Sequence, residues 1–249
     1  MSIVVPVDSS EPWQLVIESA LELTTMVSTD LEIVLSGSSD GFHEEVKDYV
    51  TSAIADRISR VHYTNTVDAR TNLATLNRRM AVLAVLAPGA ESAAYRSFTD
   101  DPLGWRGQVL LVPLDPDVLH RAYTDRMIIV VPEDVDLDAI EPWATWIARK
   151  ARSQISLLTV LGAEDEFDLE SRFRAAGERL RERAENFRRC GLRAAWEVRI
   201  GDPSTEIIRM AETTGTHLVV LPKPVRNFAD EALLDRLIEH GRLHLLLTT

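Results

Sequence analysis

The sequence predicts an α/β fold built twice over, each copy a five-stranded, mostly parallel sheet flanked by helices. Two observations predict it. The first is a capped helix feeding an apolar strand at 200–224. Asp202 stands where it caps a helix, and Pro203 suits the first turn, where a missing N–H costs nothing. Ile207, Ile208 and Ala211 make an apolar stripe at helical spacing, and Gly215 ends the helix at the left-handed position. The run 218–221 is then apolar without alternation, as in a strand covered on both faces. A helix entering such a strand is half of a right-handed parallel crossover.

The second observation is an internal repeat. Ile3-Val4-Val5-Pro6-Val7-Asp8 returns as Ile129-Val130-Val131-Pro132-Glu133-Asp134. Each copy is followed by the same tripeptide, Glu11-Pro12-Trp13 and Glu141-Pro142-Trp143, and the runs 31–37 and 155–162 match in character. A period of half the chain is too long for a solenoid and means two similar domains. The proline- and aspartate-rich stretch 113–117 is a natural linker, which sets the domains at 1–120 and 121–249.

Element by element, the first half predicts strands near 2–7, 31–36, 60–65, 81–86 and 108–113, with helices near 11–27, 42–58 and 68–79. The second half predicts strands near 127–132, 154–160, 194–200, 217–221 and 243–248. Its helices fall near 138–151, 167–189, 203–214 and 229–240. The helix at 167–189 is the clearest, with Leu169, Phe173, Ala176, Leu180, Ala184 and Phe187 on one face and arginine and glutamate opposite. Alternation of this kind specifies parallel sheets.

The stretch 200–224 resembles the C-terminal part of universal stress protein domains, which carry a Gly-Asp-Pro-x-x-x-Ile helix (here Gly201-Asp202-Pro203 and Ile207) before an apolar strand. The layout of both halves also resembles that family, whose fold is Rossmann-like and related to the adenine nucleotide alpha hydrolases. Tandem chains are common in it. The resemblance implies that the last strands, 109–114 and 243–248, pair across a twofold, making the chain its own pseudo-dimer, with further homo-oligomers allowed. Such pairing would remove two open apolar edges.

Members of the family that bind ATP or AMP use an Asp after the first strand for the adenosine part and Gly-x2-Gly-x9-Gly-Ser/Thr after the fourth strand for the phosphates. The resemblance therefore implies Asp8 and Asp134 as adenosine contacts. Turn formation and helix capping account for the same two residues, and both readings stay open. The glycine loop is missing twice. In the second half its positions fall on Pro222, Val225, Asp235 and Arg236. In the first half one register gives Ala87, Ala90 and Asp100, and another gives Gly89, Ser92 and Pro102. Glycine lets bare N–H groups approach phosphate; proline has no N–H, and a carboxylate repels.

Composition narrows the functions further. A net charge of −12 in 249 residues argues against nucleic acid and anionic membrane surfaces, which need a basic footprint. The single cysteine, Cys190, leaves no intrachain disulfide and, beside a helix C-terminus, is expected to be inert. With no secretory signal and no apolar run long enough for a bilayer, a cytoplasmic protein that is not membrane-embedded is expected. Ser36-Gly37-Ser38-Ser39-Asp40 reads as a polar turn. The six histidines show no ligand spacing, the tryptophans Trp13, Trp143 and Trp146 are expected to pack on the sheets, and the arginine run 172–189 reads as a solvated face. The expected function is a non-enzymatic regulatory or adaptor protein with no cofactor, whose partner is a protein such as a transporter or a signalling component. The alternatives are a sensor of ATP or AMP acting through Asp8 or Asp134, and an enzyme whose catalytic constellation the sequence does not display.

Overall fold

The computed structural model describes residues 2–9, 12–36, 40–54, 60–66, 83–88, 107–113, 115, 123–133, 140–162, 168–222 and 231–248. The chain divides into two compact units, Met1–Leu119 and His120–Thr249.

The first unit contains β1 (Ser2–Val7), α1 (Trp13–Val27), β2 (Asp30–Ser36), α2 (Asp40–Ile54), β3 (Val61–Thr66), β4 (Leu83–Leu86) and β5 (Gln108–Leu111). Its strands lie in the order β3-β2-β1-β4-β5, every neighbouring pair parallel. The order reverses direction between β1 and β4, which makes that the switch point of the sheet. The helix expected at 68–79 lies outside the described residues. Central β4 is Leu-Ala-Val-Leu and wholly buried, as a strand covered on both faces must be. Trp13 at the head of α1 is buried edge-to-face against Tyr49 (centroids 5.1 Å apart) and Phe42 (6.0 Å), which ties α1 to α2. The Tyr49 hydroxyl donates to Glu18 on α1, and burial, then that carboxylate, raises its pKa.

The second unit contains β6 (Arg126–Val130), α3 (Glu141–Ala151), β7 (Gln154–Leu161), α4 (Leu169–Arg189), β8 (Arg193–Ile200), α5 (Pro203–Thr214), β9 (Leu218–Pro222), α6 (Glu231–Glu239) and β10 (His244–Thr248). The strand order β8-β7-β6-β9-β10, again all parallel, repeats that of the first unit, with its switch point between β6 and β9. α4 buries Ala176, Leu180, Ala184 and Phe187, four of the six residues expected on its apolar face; Phe173 is exposed and Leu169 half-buried. Trp143 and Trp146 do not pack fully on the sheet. They are half-buried and stack edge-to-face on each other at 5.7 Å.

α5 forms for the reasons written in its sequence. Asp202 accepts from the Thr205 amide at 2.9 Å, Pro203 opens the first turn, and Gly215 (φ 63°) closes the helix by donating to Ala211 and Glu212. Its buried stripe is Ile207, Met210 and Ala211, whereas Ile208 is half-buried. The i, i+3, i+4 geometry set by Ile207 favours Met210 over its neighbour. Asp202→Ala is expected to cost about 1 kcal/mol through loss of the cap, measurable as a lowered urea midpoint at unchanged slope.

Candidate functional site

Ligands of open parallel sheets sit beyond the carboxyl ends of the strands, near the switch point. In the second unit that edge holds two arginine-carboxylate clusters.

The first lies at the end of β6. Val131 donates to the Leu158 carbonyl at 2.7 Å and its own carbonyl accepts from the Thr159 hydroxyl at 2.7 Å, so the chain leaves the strand in a fixed direction. Glu133 follows. Arg172 of α4 binds its carboxylate through two guanidinium nitrogens, Nε at 3.0 Å, and Arg179 donates to its main-chain carbonyl. The hydrogen bond from Arg172 holds the Glu133 carboxyl below the usual carboxylate range, with the charges of Arg172 and Arg179 adding to the effect and burial opposing it. A groove of about 780 Å³ runs beside it, lined by Ser171, Arg172, Glu178, Arg179 and Glu182 among others. The arginine run is therefore not a purely solvated face. Arg172 and Arg179 turn back onto Glu133, past the end of β6, and Arg183 pairs with Glu141 at 3.1 Å. Long guanidinium stems reach carboxylates at the ends of neighbouring elements, which helical periodicity does not disclose. Asp134, the next residue after Glu133, lies outside the described residues.

The second cluster is built on the α5 cap. The Asp202 carboxylate accepts from the Ser204 hydroxyl at 2.5 Å, the Thr205 hydroxyl at 2.7 Å and the Thr205 amide at 2.9 Å. Arg236 of α6 donates to its second oxygen at 3.1 Å and to Ser204 Oγ at 3.2 Å. The hydrogen bonds from Ser204 and Thr205, then the Arg236 charge, lower the Asp202 pKa to about 2. Arg236 falls on the Ser/Thr position of the family's loop, and its charge already faces a carboxylate. Asp235 beside it is exposed. Pro222 ends β9 buried, with no N–H to offer. Val225 and Lys223 lie outside the described residues.

In the first unit Asp8 follows β1 and is half-buried. The last paired residues of β1 and β2 are Val7 and Leu35, so Asp8 stands beside Ser36 in the register. The capping position of α1 is Pro12, and no side chain hydrogen-bonds there as a cap. Two buried polar atoms gather at the same end of β2: Ser36 Oγ and, one turn into α2, His43 Nε2. Neither has a hydrogen-bond partner among the described residues. A buried polar atom without a partner costs about 1–3 kcal/mol. One strand-end serine and one helical histidine carry no spacing signal in the sequence. β4 leads into Ala87 and Pro88, both buried; the remaining positions of either glycine register lie outside the described residues.

Elsewhere the chemistry is sparse. Among the described residues no group of three His, Cys, Asp or Glu side chains is placed to hold a metal. His244 is buried in β10, stacked on Tyr123 with ring centroids 3.8 Å apart. Cys190 is exposed at the C-cap of α4. No helix among the described residues is long and apolar enough to cross a membrane.

No protein-family model matches the sequence, and no curated protein matches it. Solved structures do match in fold. A universal stress protein from Archaeoglobus fulgidus superposes with a TM-score of 0.71 at 14% identity, over 99% of this chain and 97% of that one. A Pseudomonas aeruginosa structure of the universal stress type gives 0.68 at 12% identity, over 99% and 92%. The cytoplasmic domain of a prokaryotic cation chloride cotransporter gives 0.64 at 12% identity, over 99% and 94%. The fold is that of the universal stress proteins, over the whole length of the chain.

Proposed function

From a fold shared with universal stress proteins, we propose that this chain is a non-catalytic regulatory or adaptor protein. Its output is binding to another protein, and it does not take ATP in the family's usual way. The observation that carries the reading is the second unit's switch-point edge. Where a phosphate cradle needs bare amides, β9 ends in buried Pro222, and Arg236 at the hydroxyl position is engaged by Asp202. A triphosphate entering there would have to displace an ion pair and would gain no amide from Pro222. The likeness to a cotransporter's cytoplasmic domain supports a transporter or signalling protein as the partner, and the cytoplasm as the place of action.

A second reading is an adenosine-compound sensor acting through Asp8 and Asp134. The buried Ser36 Oγ beside Asp8, and the buried His43 Nε2 on the helix that follows β2, favour it, because both are polar atoms that a ligand would satisfy. Mass spectrometry of small molecules released from the purified native protein separates the two. The first reading expects no stoichiometric adenine nucleotide. Recovery of AMP or ATP at one per chain, lost in Ser36→Ala with His43→Phe, would establish the second.

A further inference from the structure

Four large apolar side chains are exposed among the described residues, and three of them lie together on α4 and β8: Phe173 (42% exposed), Trp196 (39%) and Ile200 (44%). Trp196 lies over Gly177, where an added Cβ would stand 3.5 Å from the indole ring. Gly177 is one helical turn beyond Phe173, so one stripe of α4 joins the two aromatic rings.

β8 is the edge strand of its sheet and pairs with β7 alone among the described residues. Gly201, just past its end, donates its amide to the Leu161 carbonyl of β7 at 2.9 Å. Main-chain groups alternate in direction along a strand, so Trp196, Val198 and Ile200 turn theirs away from β7. Arg188 confirms this direction by donating to the outward carbonyl of Ala194 at 2.9 Å. That contact guards the start of the edge, leaving 196–200 as a short ladder without a partner strand among the described residues.

Of the nine arginines between 169 and 200, Arg172, Arg174, Arg183 and Arg199 are paired with carboxylates, while Arg188 and Arg193 flank the start of β8. Arg188 and Arg193 bond to main-chain carbonyls of Ala194 and Arg152, so these bonds leave their charges unneutralised. Pairing with the β3 edge of another copy would be head-to-tail and open-ended. Charge complementarity favours an acidic segment of a different protein.

We propose that the outer edge of β8 is a docking strand for an acidic, extended segment of a partner protein. The segment pairs with the main chain at 196–200, rests apolar side chains on Phe173, Trp196 and Ile200, and sets carboxylates against Arg188 and Arg193. The inference rests on the reading that the output is partner binding, and it stands apart from the state of the nucleotide crevice.

The test uses the intact chain and a fluorescein-labelled peptide of alternating glutamate and valine, as long as the 8 residues of β8. A peptide with lysine for glutamate is the control. Anisotropy is expected to show saturable binding of the acidic peptide that weakens as salt rises, and none of the lysine peptide. Hydrogen exchange is expected to slow at the amides of Trp196, Val198 and Ile200. Arg188→Glu with Arg193→Glu is expected to weaken binding by about tenfold or more, and Trp196→Ser to weaken it with the charge intact, circular dichroism showing both variants folded. Equal binding of the two peptides, no binding, or binding without protection of those amides would overturn the proposal. So would tighter binding of a single-stranded RNA oligomer at the same residues. A chain that binds both the acidic peptide and ATP would sink the reading of the crevice and leave this one standing.

Discussion

Acidification is expected to strip stability from the second unit, and His244→Phe to remove much of that loss. His244 is fully buried on β10 against Tyr123. Burial lowers its pKa from 6.5 to about 3, with repulsion from His217 adding to the effect and a hydrogen bond to the His217 main chain opposing it. The folded form therefore resists a proton that the unfolded chain accepts. Above the unfolded value the residue is neutral in both states and makes no pH-dependent contribution. As pH falls from 6.5 towards 3 the unfolded state gains the proton first, and stability drops steadily across that window. Below about 3 both states are protonated and this slope ends. Urea unfolding of the parent and His244→Phe across this range measures it, since the difference between the two curves cancels the carboxylates they share. A constant difference across that window would contradict the account.

Leu180→Ala is expected to cost about 2–5 kcal/mol, while Arg174→Ala on the same helix changes stability by less than about 0.5 kcal/mol. Leu180 is 1% exposed, under the middle of α4, and truncating it leaves a cavity between helix and sheet. Arg174 faces water, its pair with Glu170 being 72% and 90% exposed. Chemical denaturation read by tryptophan fluorescence compares them. Similar costs at the two positions would mean that α4 does not pack through the stripe described here.

What the sequence disclosed and what it hid divide along one physical line. α5 was legible because cap, first-turn proline, apolar stripe and terminal glycine are local signals within 14 consecutive residues, Asp202 to Gly215, of which only Ile208 departs from the expected burial. The inner strands of both sheets were legible because buried parallel strands need unbroken apolar runs, as in β4 and β9. The clusters at the candidate site were not. Glu133 and Arg172 are 39 positions apart, and Asp202 and Arg236 are 34 apart. Nothing in local periodicity announces that such residues meet. β8 was found as a strand, yet its exposure was invisible, since only Val198 of its outward series is buried and the rest depends on which strand lies at the edge. The absent glycine pattern, by contrast, was plain in the sequence, whereas the pairing of Arg236 with Asp202 was not.

Isothermal titration of ATP and AMP, with and without magnesium, into the intact chain tests the central claim most directly. No saturable heat is expected with ATP, in the parent and in Arg236→Ser alike, because restoring one hydroxyl does not restore the missing amides. Saturable micromolar binding of ATP by the parent chain, weakened by a substitution at Asp202 or Arg236, would contradict it.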